Sequence, residues 1–499
     1  MKSVWLDTYE VPAAPAEEFV PGAGYDTVVA GAGLTGLTTA VLLARAGHRV
    51  AVLEARTVGA VTTGNTTAKL TLLQGTTLSQ IRRHQSEEVL RAYVDANREG
   101  MAWLLRLLED RGVPFQRRDS WTYATSAKGA SDLRKELEAA RLADLHPSWS
   151  DETELPFPVA GAITLPDQAQ FHPMEVLGAL VVELRAHGGA VFEGVRLTGA
   201  GVRSPLTIQT SKGPLQADRL VLATGTPVLD RGGYFAKLSP SRSYAMTYRV
   251  PGAPGSIPRG MYITADSPTR TVRTVPLADE ELLLVGGNDH VVGRSPSPQA
   301  AVDDLEEWTR RHFPGAERTH VWAAQDYRSI NAIPFIGTLP RGGGNIYLAT
   351  GYNKWGMSNA VAASLALSAE IFGGHMQWAE TLGRRVTTPS DILTALKVNA
   401  EVGFNAPKDW LKAELSELPD EVPGEGEGFV GREHGRPVGV STVDGVTCRV
   451  SGICTHLGGV LRWNDAERSW DCPLHGSRFA ADGTRLEGPA VHDLSRRGA

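Results

Sequence analysis

A strand–turn–helix–strand unit near the front of the chain and two later apolar strands that each end in Ala-Thr-Gly predict an α/β fold of Rossmann-like kind. An acidic break rich in Gly and Pro, followed by short β-branched runs, adds an all-β module behind it. At ~150 residues per domain, 499 residues suggest about three structural units. Lys and Arg number 50 against 56 Asp and Glu, a net charge of −6, so no basic excess marks a partner nucleic acid. No apolar run approaches the ~18 residues of a membrane span, and the Met1 to Trp5 start is not a signal peptide, so a cytoplasmic location is expected. Three cysteines exclude a disulfide scaffold, and Cys448, Cys454 and Cys472 all fall in the last tenth of the chain.

Residues 1–24, with Pro12, Pro15 and Pro21, show no helical or strand period and are expected to form an extended arm that carries little chemistry. The apolar strand at residues 25–30 runs into Gly31-Ala-Gly33-Leu34-Thr35-Gly36, then a helical pattern that stops at Gly47, then a second strand ending at Glu54. This is a dinucleotide-binding βαβ pattern: Gly31 for the tight turn, Gly33 for close approach to a pyrophosphate, Gly36 for helix-to-sheet packing. The phosphates would sit on the helix N-terminus. Glu54, 18 residues past Gly36, is placed to accept hydrogen bonds from a ribose. No second G-x-G-x-x-G occurs, which predicts one dinucleotide.

The strand at residues 218–225 ends in Ala-Thr224-Gly225. A second, at residues 344–351, ends in Ala-Thr-Gly351 and continues through Tyr352, Asn353, Lys354, Trp355, Gly356 and Met357 into a small-residue helix. With these residues the sequence resembles the glycine/D-amino-acid oxidase family of FAD-dependent oxidoreductases over about residues 20–375. The resemblance implies non-covalent FAD, the segment Thr62 to Lys69 along the flavin with Thr63, Asn65, Thr66 and Thr67 as contacts, Ala55 among the FAD-binding residues, Val195 near the adenine, and Gly351 to Met357 against the isoalloxazine. With no cysteine before 448, and Asn65 in the flavin-facing segment, the covalent links known in the family are not available. The resemblance also implies a discontinuous FAD domain (25–100, 160–240, 325–375) with a substrate domain inserted in it (101–159, 241–324), then a linker at 376–414.

The module at 415–499 carries Cys454-Thr-His456 and Cys472-Pro-Leu-His475, with 15 residues between His456 and Cys472. One Cys and one His in each of two loops resemble a Rieske [2Fe–2S] domain, which implies Cys454 and Cys472 on one iron and His456 and His475 on the other. A structural zinc site is the competing reading, disfavoured by the CxH spacing. The Gly488-Pro-Ala490 run matches the family's proline loop. Gly459 and Leu474 stand where the respiratory type has a disulfide, and Phe479 stands for its Tyr while Ser477 is kept, so a potential below that type is expected. Cys448 reads as a small apolar strand residue.

Together the two resemblances imply oxidation of a C–N bond in an amine or amino acid, with electrons passing from flavin through the cluster to a protein acceptor. The alternative is an electron-transfer protein or reductase in which the cluster feeds the flavin. Oxidases of the family carry a Lys over the flavin from a strand that corresponds here to residues 281–286, which hold no Lys. That favours a dehydrogenase. Lys354 and Arg273 are the candidate carboxylate clamps, and Tyr262 and His290 candidate pocket residues.

Overall fold

The computed structural model describes residues 1–12, 18–385, 417–418 and 421–497. Strand Gly24–Ala30 lies between Val50–Leu53 and Leu215–Leu222, parallel to both, and Leu215–Leu222 is parallel to Ile346–Thr350. These four form the heart of an eight-stranded sheet, counted among the described residues. Helix Leu34–Arg45 covers it and buries Leu37, Ala40, Val41 and Ala44, the apolar face visible in the sequence. Gly31 has φ +106, and a Cβ there would meet the Ala223 carbonyl at 2.4 Å; one on Gly36 would lie 1.9 Å from the Gly31 carbonyl oxygen. Only hydrogen fits at these two contacts, so the helix start comes down onto the strand end.

A second, nine-stranded sheet is the inserted domain, with Leu238–Arg249 between Glu317–Ser329 and Glu281–Val291, and Met261–Thr264 joined to Phe115–Ala124. The expected domain borders fall inside elements. Helix Glu87–Arg111 crosses the border at 100, strand Gly161–Phe171 pairs in the second sheet, not the first, and strand Glu317–Ser329 crosses the border at 324. Residues 376–385 are not linker: helix Gln377–Gly383 buries Trp378 and Leu382 against the body. The rest of the expected linker, 386–414, lies outside the described residues.

The N-terminal arm departs most from expectation. Ser3 caps a short helix, Val4–Thr8, that puts Val4 and Trp5 into the main core. A helix of five residues carries too little period to be seen in sequence. The C-terminal module is all β: an antiparallel three-stranded sheet (Gly428–Glu433, Arg436–Val443, Val446–Ser451) and a four-stranded one ending at Arg485–Glu487, around Trp470 and Phe479. Cys448, on the last strand of the first sheet, is half-buried. Among the described residues no helix is long and apolar enough to cross a membrane.

Candidate functional site

One cavity of about 1320 Å³ runs from the end of the βαβ unit into the gap between the two large sheets. Gly31 and Gly33 to Thr35, Glu54 and Ala55, Thr63 and Asn65 to Thr67, Val195, Thr224 and Gly225, Gly351, and Asn353 to Met357 all line it. Gly36 does not; it lies beneath the Gly31 carbonyl. The Glu54 carboxylate accepts from the Ala32 and Arg56 N–H groups at 3.0 and 2.8 Å, and burial pushes its pKa up against those two bonds.

The floor of the cavity at 62–68 is irregular backbone, and its carbonyls are satisfied from behind. Ser3 Oγ donates to the Gly64 carbonyl at 2.5 Å, Trp322 Nε1 to Asn65 at 2.8 Å and Trp5 Nε1 to Thr66 at 2.7 Å. Arg273 Nη1 donates to both Thr67 and Ala68 at 2.7 Å. Five consecutive carbonyls are thus held away from the cavity by buried side chains, one purpose of the packed N-terminal arm.

Three of the expected active-site residues are therefore reassigned. Arg273 is fully buried behind this floor and stacked on Trp5, with burial pulling its pKa to about 9; it positions backbone and does not reach the cavity. Tyr262 is also fully buried, with its ring stacked on Trp121 and its hydroxyl 3.2 Å from Glu154, while the next residue, Ile263, lines the cavity. His290 stacks on Tyr244 and its neighbour Asp289 lines the cavity instead. Successive strand residues face opposite sides, so both candidates were one residue out of register.

Lys354 does line the cavity. Asn353 and Lys354 have φ of 53 and 72, a left-handed pair held because the Lys354 N–H donates to half-buried Asp326 and Asn353 Oδ1 accepts from the Ser329 N–H at 2.9 Å. Its ammonium lies 3.3 Å from Asp289, which also receives Arg328 at 2.7 Å; burial pulls Lys354 to about 8 against the Asp289 charge. Lys69 is the residue that sequence reasoning passed over. It stands on strand Lys69–Leu70, lines the same cavity, and donates from Nζ to the Tyr262 carbonyl at 3.0 Å and to Thr271 Oγ1. Those partners are neutral, and burial together with the Arg273 charge pulls its pKa to about 7. A buried lysine at the end of a Thr-rich stretch was the available signal.

In the C-terminal module, the loops after Ser451 and Asp471 bring the four expected ligands together. The Cys454 and Cys472 side chains are both buried, and the neighbouring Cys472 thiol, then the His456 and Leu457 N–H groups and Ser477, pull the Cys454 pKa to about 7 against burial. The imidazoles of His456 and His475 lie 5.1 Å apart. Both Nδ1 atoms are buried without a hydrogen-bond partner, and burial lowers both pKa values, to about 4 for His475. Neutral imidazoles with idle nitrogens, beside paired thiols, fit two irons with two protein ligands each.

These loops are docked on the rest of the chain. Phe235 packs edge-on against both imidazoles, at 5.2 and 4.8 Å between ring centroids. Gln325 Nε2 donates to the Gly476 carbonyl at 2.9 Å and to the Tyr327 hydroxyl at 3.0 Å, while its main-chain carbonyl accepts from the Thr62 hydroxyl at the cavity floor. Arg242 from the inserted domain meets Glu467 and Glu487, which are shared with Arg478, in an almost fully buried ion cluster. Arg485 to Gly488 of the module line the large cavity itself.

Comparison with known proteins places residues 26–369 in a family described as FAD dependent oxidoreductase and residues 416–496 in one described as Rieske [2Fe-2S] domain. YhfW of Bacillus subtilis strain 168, provisionally named a Rieske 2Fe-2S iron-sulfur protein, is 28% identical over 99% of this chain and 97% of its own. A cytochrome b6-f complex iron-sulfur subunit of Synechococcus is 47% identical over 45 residues, 9% of this chain and 26% of that subunit. Glycine oxidase from Geobacillus kaustophilus superposes with a TM-score of 0.59 at 19% identity, over 71% of this chain and 96% of that one. L-proline dehydrogenase from P. horikoshii gives 0.59 at 16%, over 72% and 96%.

Proposed function

This chain belongs to the FAD dependent oxidoreductase family and carries a C-terminal Rieske [2Fe-2S] domain, and on that footing we propose that it oxidises a C–N bond of an amine or amino acid and sends the electrons through its own cluster to a protein acceptor. Bound FAD supplies a two-electron acceptor and the cluster a one-electron carrier. The observation that carries this reading is the docking of the cluster loops: their two imidazoles face Phe235 within the same chain, and Gln325 joins the second loop to the cavity floor.

The residues around the cavity suit a small amine or amino acid. Lys69 has neutral partners only among its hydrogen bonds, whereas Lys354 shares Asp289 with Arg328, so Lys69 is the better anchor for a substrate carboxylate. Lys354 and Asp289 then orient the amine end. Trp355 and Tyr352 add aromatic lining to the same cavity. No lysine stands on strand Glu281–Val291, and a protein acceptor rather than dioxygen follows in this reading from the attached cluster.

The test is an anaerobic screen of amino acids and secondary amines followed by visible absorption. The expected result is flavin bleaching by one class, with little oxygen consumption in air. No bleaching by any of them, together with rapid reduction by a ferredoxin reductase system, would reverse the direction of electron flow.

A further inference from the structure

The large cavity is not walled by the FAD domain alone. At the end lined by Glu54, Arg56 and Val195 it is bordered by Arg196 from the FAD domain and by Arg485 at the start of the last strand of the Rieske domain. The two are in contact, with Arg196 Nη2 3.4 Å from the Arg485 carbonyl oxygen. Arg485 is 5% exposed. Its Nη1 donates to the Ala490 carbonyl at 2.6 Å, and its Nε is buried with no hydrogen-bond partner. Asp493 accepts from the Arg485 main-chain N–H at 2.9 Å.

Such an arrangement is costly without a counter-charge: a buried guanidinium with an idle donor faces a second arginine, and Arg56 lines the same cavity. Burial, then the Arg196 charge, pull Arg485 to about 10 against the opposing charge of Asp493. The acidic groups here, Asp493 and Glu54, are themselves engaged by main-chain N–H groups. An anion with several acceptor oxygens would relieve the excess of positive charge, and the pyrophosphate-ribose part of FAD is the anion this cavity is built to take.

We propose that Arg485 of the Rieske domain, facing Arg196, is an FAD-binding residue that closes the adenosine-diphosphate end of the site, so that the two cofactor domains share one flavin pocket. Gly488, three residues on, packs against Thr226 and Val228 just past the Ala-Thr-Gly strand end, which carries the same wall forward. The consequence is that flavin affinity depends on a domain that holds a different cofactor.

Two measurements on the full chain test this. In the wild-type protein, hydrogen–deuterium exchange of residues 485–490 should slow when FAD, or ADP alone, is added to flavin-free protein. In Arg485→Gln, titration of flavin-free protein should show FAD and ADP binding weakened about 10- to 100-fold, with Arg485→Lys intermediate and riboflavin binding unchanged. The cluster's visible and EPR signatures report whether the domain stays folded. No ligand-dependent protection of 485–490 in the wild type, or FAD affinity within about twofold in an Arg485→Gln protein that keeps its cluster, overturns the proposal.

Discussion

The flavin cavity and the cluster pocket are built in opposite ways. Around the cluster the chemistry is in side chains: two thiols and two imidazoles on two tight loops point at one spot. Around the flavin it is in backbone, and the informative side chains stand behind it, with Ser3, Trp5, Trp322 and Arg273 holding the carbonyls of Gly64 to Ala68. A site made of side chains advertises itself in sequence. A site made of backbone is legible only through its glycines.

The largest effect expected from breaking this contrast is at the cluster. Cys454→Ser or Cys472→Ser should abolish the cluster entirely, as iron content and visible spectra would show; either variant retaining a full complement of cluster iron would contradict the assignment of these two thiols as ligands. Next is Gly36→Val. Its Cβ would sit 1.9 Å from the Gly31 carbonyl oxygen, so the turn must move and FAD content should fall close to zero while the cluster remains.

Arg273→Met probes the supporting layer. It strips the Thr67 and Ala68 carbonyls of their donor, which at ~1–3 kcal/mol for each unsatisfied group should lower stability by about 2–6 kcal/mol in urea unfolding, and it should weaken FAD binding without changing the pH profile of substrate oxidation. A shifted profile would return Arg273 to the active site.

The most localised test concerns Lys69, a single titrating group. Its pKa is about 7 when folded against 10.5 as the ordinary value, so the unfolded chain binds more protons between those pH values and stability should rise with pH across that window, by up to about 1.4 kcal/mol per pH unit. In Lys69→Met that slope should vanish, and stability at pH 7 and below should increase relative to wild type. A slope unchanged by the substitution would mean that Lys69 is charged in the folded protein at pH 9.

The same contrast explains what the sequence disclosed. The βαβ unit, the two Ala-Thr-Gly strand ends and the Cys-x-His and Cys-x-x-His loops are local patterns, and each lies where its spacing predicts. The substrate side is assembled from strands far apart in sequence, where a shift of one residue turns a side chain to the other face; Tyr262 and His290 were lost that way to Ile263 and Asp289. Arg273 sits behind the wall because the N-terminal arm packs there, and a five-residue helix gives no period to read. Lys69 was hidden because its strand has only two residues. The contact of Arg485 with the flavin cavity depends on how two domains dock, which no local pattern encodes.

If the cluster is the flavin's own electron partner within one chain, electrons placed on the flavin should reach it without a second molecule. Photoreduction of the flavin under anaerobic conditions, with the cluster's absorption followed over time, tests this without needing a substrate. Cluster reduction is expected at a first-order rate that does not change as the protein is diluted tenfold. A rate that falls in proportion to protein concentration, or a cluster that stays oxidised beside a fully reduced flavin, would contradict it.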